Sequence, residues 1–266
     1  MRFSLGKFAL PLYSILAFIY ILIPIAYTFV FSFNDSLKTN LLWRGFTFDK
    51  WLNVCRNQDV CVAFSNSILI GVISTIFATA LGTGIAIALV RYRFRFRSSV
   101  NLLLFLPMAT PEVVLGAGLA SQFLSLGVNK GIVTIILAHI MFCLSFVVVT
   151  VKARVASLDP ALEEAGRDLY ANPRQVFWKI TFPLLLPGIA AAALLSFALS
   201  FDDFIITNFN AGSDMTFPKY VYTAAAKGLP AEANVIGSAV FTLAILIVLA
   251  TQINGEIKRR RLTKRS

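Results

Sequence analysis

The stretch GIVTIILAHIMFCLSFVVVTV, residues 131–151, decides the fold, because it runs without a single Lys, Arg, Asp or Glu. A bilayer core takes roughly 20 apolar residues per helix, so this segment is long enough to cross one. Outward from it lie five further runs of the same kind: Phe8–Phe33, Val62–Val90, Val100–Leu126, Leu184–Ile206 and Val235–Ile253. The whole chain of 266 residues is 58% hydrophobic and 14% charged, where soluble domains carry about a quarter charged residues. Its mean hydropathy is +0.77. The runs are rich in Leu, Ala, Ile and Gly and lack the two-residue alternation of an outer-membrane strand. Only helices then satisfy the backbone in lipid. The expected fold class is all-α, a polytopic membrane bundle of six transmembrane helices. The first run follows Arg2 and Lys7 as a secretory signal would. It is too long for one and lacks a small-residue cleavage site, so it reads as a retained helix.

A formal charge of +11 raises the question of nucleic acid, and the distribution of the bases answers it. With six spans and both ends on one side, that side holds Arg2 and Lys7, Arg91 to Arg97, Lys152 to Lys179, and the tail Lys258 to Arg265. The other side holds Lys38, Arg44, Lys50, Arg56, Lys130, Lys219 and Lys227. The positive-inside rule therefore places both termini in the cytoplasm of a multi-pass bacterial inner-membrane protein. The tail is an orientation signal and a contact for anionic lipid, and no nucleic-acid partner is expected. The expected organisation is a cytoplasmic N-terminus (1–7), a transmembrane domain (8–257) and a basic cytoplasmic tail (258–266).

Cys143 reads as a small buried hydrophobe. Cys55 and Cys61 share the first external loop, where an oxidising compartment permits a disulfide without requiring one. No metal-ligand spacing is present, and the lone His139 reads as a satisfied packing residue. The same external loop carries Trp43, Phe46, Phe48 and Trp51, aromatic rings suited to the membrane interface. The run Arg91-Tyr-Arg-Phe-Arg-Phe-Arg97 reads as a helix-end anchor.

The cytoplasmic connection Lys152–Pro183 is longer than a helix joint needs. Asp159-Pro160 is a cap followed by a first-turn proline, with Glu163 and Glu164 at the positive pole of the helix they start. That helix extends to about Leu169. Asn172-Pro173 starts a second short helix, running to Phe182. Two short helices bent at Tyr170–Asn172 form a cytoplasmic protrusion shaped to enter a partner.

Within it, Glu164-Ala165-Gly166-Arg-Asp168-Leu-Tyr170, then nine residues, then Ile180-Thr-Phe182-Pro183, resembles the EAA loop of permease subunits in binding-protein-dependent ABC importers. The likeness extends through Asn66-Ser67-Ile68, Ala86–Phe94, Leu106-Pro107 and Pro111-Glu112. It covers most of the chain beyond Asn66. Within the family it is nearest to permeases of spermidine/putrescine importers, on His139–Cys143, Phe146–Thr150 and Leu199–Asp203. The resemblance implies coupling helices (159–183) that dock on ATP-binding subunits. It also implies a non-catalytic permease with no cofactor of its own, ATP and Mg on two partner ATPases, a second permease subunit and an external solute-binding protein. Gly166 stands for the second alanine and Phe182 for leucine. Tyr170 stands for glycine, so the resemblance implies either a different bend or a left-handed conformation passed on to Asn172.

Three acids lie inside spans: Glu112, Asp202 and Asp203. Each costs roughly 2.5–3.5 kcal/mol at the bilayer centre, which reserves such residues for cavities and cation paths. No base lies deep in a span to pair with them. They are candidates for the path of a small cationic solute, a polyamine in particular, with Phe201, Phe204 and Phe105 supplying aromatic faces. Pro107 and Pro111 break helix hydrogen bonding beside Glu112, as in the discontinuous helices with which transporters expose backbone to a substrate. Plain alternatives stand beside this: Asp202 and Asp203 ending span five in water, and a simple kink at the prolines. Ferric iron, sugar, peptide and anion cargoes remain open, as does a secondary cation transporter or channel. No phosphate-binding loop is present, so ATP hydrolysis belongs to another chain. No nucleophile with a base partner marks an enzyme.

Overall fold

The computed structural model describes residues 5–36, 40–226 and 228–263, with side chains from 10 to 253. Arg2, Lys38, Lys227, Lys264 and Arg265 fall outside the described residues, and so do the side chains of Lys7 and of Lys258–Arg261. The expected terminal segments, 1–7 and 258–266, lie at or beyond these limits.

In chain order the helices are α1 (Leu5–Phe31), α2 (Asp49–Leu52), α3 (Gln58–Arg91), α4 (Arg97–Ala109), α5 (Glu112–Ser125), α6 (Ile132–Ala156), α7 (Ala161–Asp168), α8 (Pro173–Val176), α9 (Phe182–Asp202), α10 (Ile205–Asn210), α11 (Phe217–Ala225) and α12 (Ala231–Thr263). The described residues contain no strand, so the all-α membrane fold holds. Five spans are long and apolar enough to cross a bilayer: Leu10–Phe31, Gln58–Arg91, Ile132–Ala156, Pro173–Asp202 and Ala231–Ile253.

The sixth is interrupted, at Pro111 and not at Pro107. Residues 100–126 are not one straight helix but the pair α4 and α5, bent by 108°. The cause is Pro111, which offers no N–H to continue the helix and forces the residue before it out of the helical region. Thr110 sits at ψ 132° and Pro111 at ψ 132°, two extended residues in succession. Pro107 lies inside α4 without ending it.

The chain forms two compact units, residues 1–61 with 221–266, and residues 62–220. In the first, α1 packs on α12. The turn after α1 is fixed by Asn34 and Asn40. Asn34 donates to the Asn40 side chain at 2.6 Å and to the Leu42 carbonyl at 2.8 Å, and its oxygen accepts from the Arg44 amide at 2.7 Å. Phe33 lies among Phe46, Phe48 and Trp51. Lys50 and Glu232, both buried, pair at 3.1 Å. Cys55 and Cys61 form a disulfide.

The second unit is organised around α6, which packs on α9, α4, α10 and α5. Its inward residues, Ala138, Phe142, Cys143, Val147, Val151 and Val155, recur at three- and four-residue spacing and are buried. Its outward residues Val133, Leu137 and Val149 are apolar too, as a helix between core and lipid requires. Small residues bring neighbours close: a Cβ at Gly82 would stand 2.5 Å from Val147.

Candidate functional site

Within the second unit, two helix breaks gather the acids. Glu112 opens α5 directly after Pro111, in the first turn, where the helix pole favours a carboxylate. Asp202 ends α9 and Asp203 follows it at the joint to α10. The α5 helix lies against α10, with Asn210 Nδ2 donating to the Gly116 carbonyl at 3.3 Å. A Cβ on Gly116 would stand 3.2 Å from the Ile206 Cα, so the two backbones touch.

The three acids are not equivalent. Glu112 and Asp202 are exposed, and no ion pair reaches either among the described residues. Asp203 is 7% exposed and fully engaged. Its Oδ1 accepts the Thr207 amide at 2.8 Å and its Oδ2 the Ile206 amide at 3.4 Å, so it caps α10. Its Oδ1 also stands 3.3 Å from Nε2 of His139, a side chain 1% exposed. The expectation that no base reaches the acids therefore fails for Asp203, because His139 arrives from a helix far away in sequence. Nδ1 of the same ring lies 2.7 Å from the Ser200 hydroxyl and Nε2 3.0 Å from Thr207 Oγ1. The reading of His139 as a satisfied packing residue fits this network. Its partnership with Asp203 was not foreseen, and spacing along the chain gives no signal for it.

Phe201 stacks on Phe197, centroids 5.8 Å apart, and meets Phe64 edge-on at 6.0 Å. Phe204, half-buried, follows Asp203 at the joint. Phe105 belongs elsewhere: it lines a groove on α4 and α6 with Leu102, Val149 and Lys152.

The loop 159–183 folds largely as its caps dictate. Asp159 Oδ1 accepts the Ala161 amide at 3.0 Å. Asn172 and Gln175 exchange side-chain and backbone bonds, each 2.9 Å, in a capping box. Glu163 is the anchored acid of α7. It takes Arg91 Nη2 from the end of α3 at 2.7 Å and the Thr181 hydroxyl at 2.9 Å. Glu164 is exposed. Gly166 is buried, and a Cβ there would stand 2.6 Å from Ile180. Asp168 closes α7, and Ala165 shares an exposed face with Leu162 and Leu169.

Two expectations are corrected here. The second short helix is not separate, since α8 passes through a wide π turn at Phe177–Thr181 directly into α9. That turn contains Lys179, the carbonyl that Pro183 has no N–H to meet and that its ring crowds. Nor does the left-handed conformation pass to Asn172, which is extended at φ −71°, ψ 161°. Tyr170 itself adopts φ 62°, alone among the described non-glycine residues. Its amide donates to the Arg167 carbonyl at 2.9 Å, and the Ala171 amide to the Gly166 carbonyl at 3.2 Å. Those two bonds close α7 in a Schellman motif, which normally uses glycine because a side chain there costs about 1–2 kcal/mol.

Residues 78–257 match the family described as binding-protein-dependent transport system inner membrane component. The chain is 36% identical over 261 residues to the spermidine/putrescine transport system permease protein PotC of Escherichia coli (strain K12), covering 97% of this chain and 96% of that one. It is 31% identical over 251 residues to the putrescine transport system permease protein PotI of the same strain, covering 91% and 86%. Its fold is similar to a chain of a bacterial ABC transporter involved in the import of the acidic polysaccharide alginate, with TM-score 0.64, 17% identity and coverage of 96% and 98%. It is also similar to a chain of the MetNI methionine ABC transporter, with TM-score 0.60, 16% identity and coverage of 74% and 95%. On the family match over residues 78–257 and the identity to these permeases over nearly its whole length, the chain belongs to the inner-membrane permease components of binding-protein-dependent ABC importers.

Proposed function

We propose that this permease lines the path of a polyamine, with Glu112 and Asp202 receiving its ammonium groups and Phe201 and Phe204 flanking them. The observation that carries the reading is the pair of exposed, unpaired carboxylates set at two helix breaks within the apolar second unit. Irregular backbone at membrane depth is tolerated where it lines a cavity. A linear cation with several N–H donors suits acceptor-only groups spaced along such a cavity. The names of the relatives at 36% and 31% identity support the same cargo. The alginate relative bears on the fold alone. Asp203 acts here by holding the joint that presents Asp202.

The same reading gives the chain its assembly: a second permease, two ATP-binding subunits carrying ATP and Mg, and an external solute-binding protein. Both termini face the cytoplasm, which puts the Cys55–Cys61 bridge on the oxidising side. The loop 159–183 docks on an ATP-binding subunit through the exposed face of α7, on which Leu162, Ala165 and Leu169 recur at helical spacing.

Proteoliposomes holding the whole complex and its binding protein are expected to take up labelled spermidine or putrescine only with ATP inside. Glu112→Gln is expected to assemble normally and to lose most of that uptake. ATP hydrolysis stimulated by some other solute, with no polyamine uptake, would discard the cargo and keep the importer.

A further inference from the structure

We infer that Tyr170 is a specificity-determining anchor, its ring seated in an aromatic-accepting pocket with a polar floor on the ATP-binding subunit; this rests on the docking of the loop proposed above. The bend after α7 needs a left-handed residue, and glycine or asparagine supplies one with little strain. The chain places a tyrosine there at φ 62°. Nothing in its own fold rewards that choice, because Tyr170 is 99% exposed. The bend is already closed by two backbone bonds that any residue would make. A strained backbone that presents an unburied aromatic ring points to a contact outside the chain.

The surroundings say what that contact is. Leu169, 82% exposed, stands beside the ring, and Leu162 continues the apolar face of α7 behind it. An aromatic ring at the tip of such a face, on a bend fixed from within, has the form of a binding hot spot. Tyrosine brings large contact area with few rotatable bonds and a hydroxyl for the floor of a pocket. Because the ring stands where a glycine would offer no side chain, it distinguishes an ATP-binding subunit that has the pocket from one that lacks it.

The test is re-binding of detached ATP-binding subunits to the permease pair in nanodiscs, for the parent chain and for Tyr170→Gly, Tyr170→Asn and Tyr170→Phe. Gly and Asn suit the left-handed bend, so the thermal midpoint of the permease should hold or rise. Affinity for the ATP-binding subunit should nevertheless fall by roughly tenfold or more, while Phe, keeping the ring, should restore most of it. An Ala165→Cys variant that cross-links to the ATP-binding subunit checks the docking separately. Cross-linking together with parent-like affinity in Tyr170→Gly and Tyr170→Asn overturns the role of the ring and leaves the docking intact. Assembly without cross-linking overturns the docking and the inference with it.

Discussion

Two breaks interrupt helices in the second unit, and they are made by different means. At 109–112 the interruption is written into the backbone: Pro111 removes an N–H and drives Thr110 extended, and the chain turns by 108°. At 202–205 neither proline nor glycine is present. There the chain is held open by side chains, Asp203 capping α10 and His139 bracing Asp203 between Ser200 and Thr207. A break of the first kind survives most changes around it, whereas one of the second kind depends on every member of its network. Adjacent aspartates illustrate the result, since one is spent on architecture so that the other can face outward.

The comparison can be broken most severely at Asp203. Asp203→Ala removes the cap and leaves the buried Ile206 and Thr207 amides without their acceptor, a loss of about 2–4 kcal/mol at about 1–3 for each unsatisfied donor. Its expected signature is failed assembly, read as loss of intact complex on size-exclusion chromatography. Asp202→Asn separates the two aspartates: assembly stays normal, while uptake falls by about 2 kcal/mol of lost interaction, some thirtyfold. If both variants assembled equally well, the division of labour between them would be wrong. The smallest effect belongs to the proline break. In Pro111→Ala the backbone constraint is relaxed but the tight contact of α5 on α10 backs the turn that Pro111 starts, so the thermal midpoint should shift by no more than the few degrees that about 1 kcal/mol allows. A collapse of the complex in that variant would show that the packing gives the proline no support at this break.

Much of this was legible in residues 131–151 and their counterparts, because lipid imposes length and apolarity on a span wherever it occurs. The caps were legible too, as Asp159-Pro160 and Asn172-Pro173 act through their immediate neighbours. What escaped depends on contacts between distant segments. Nothing near Asp203 announces His139, and nothing in Pro111 states an angle of 108°. Tyr170 is a different case, since the steric argument led to either a different bend or a left-handed Asn172, and neither is found. The Schellman bonds at Arg167 and Gly166 fix the left-handed position by its place after α7, whatever residue stands there. The second short helix was expected to end at Phe182, whereas the π turn at Phe177–Thr181 carries it past Pro183 into α9.

That π turn has a mechanical consequence. It carries the helix from Pro173 past Pro183 to Asp202, a run of 30 residues and about 45 Å, with the bend after α7 at one end and Asp202 at the other. Over that length a tilt of about 5° at the loop end would swing the far tip by about 4 Å, more than the reach of a hydrogen bond. The π turn itself and Pro187 inside α9 are the two points where such a lever can flex, so the stiffness of one helix at those points sets how much of a movement at the loop arrives at Asp202.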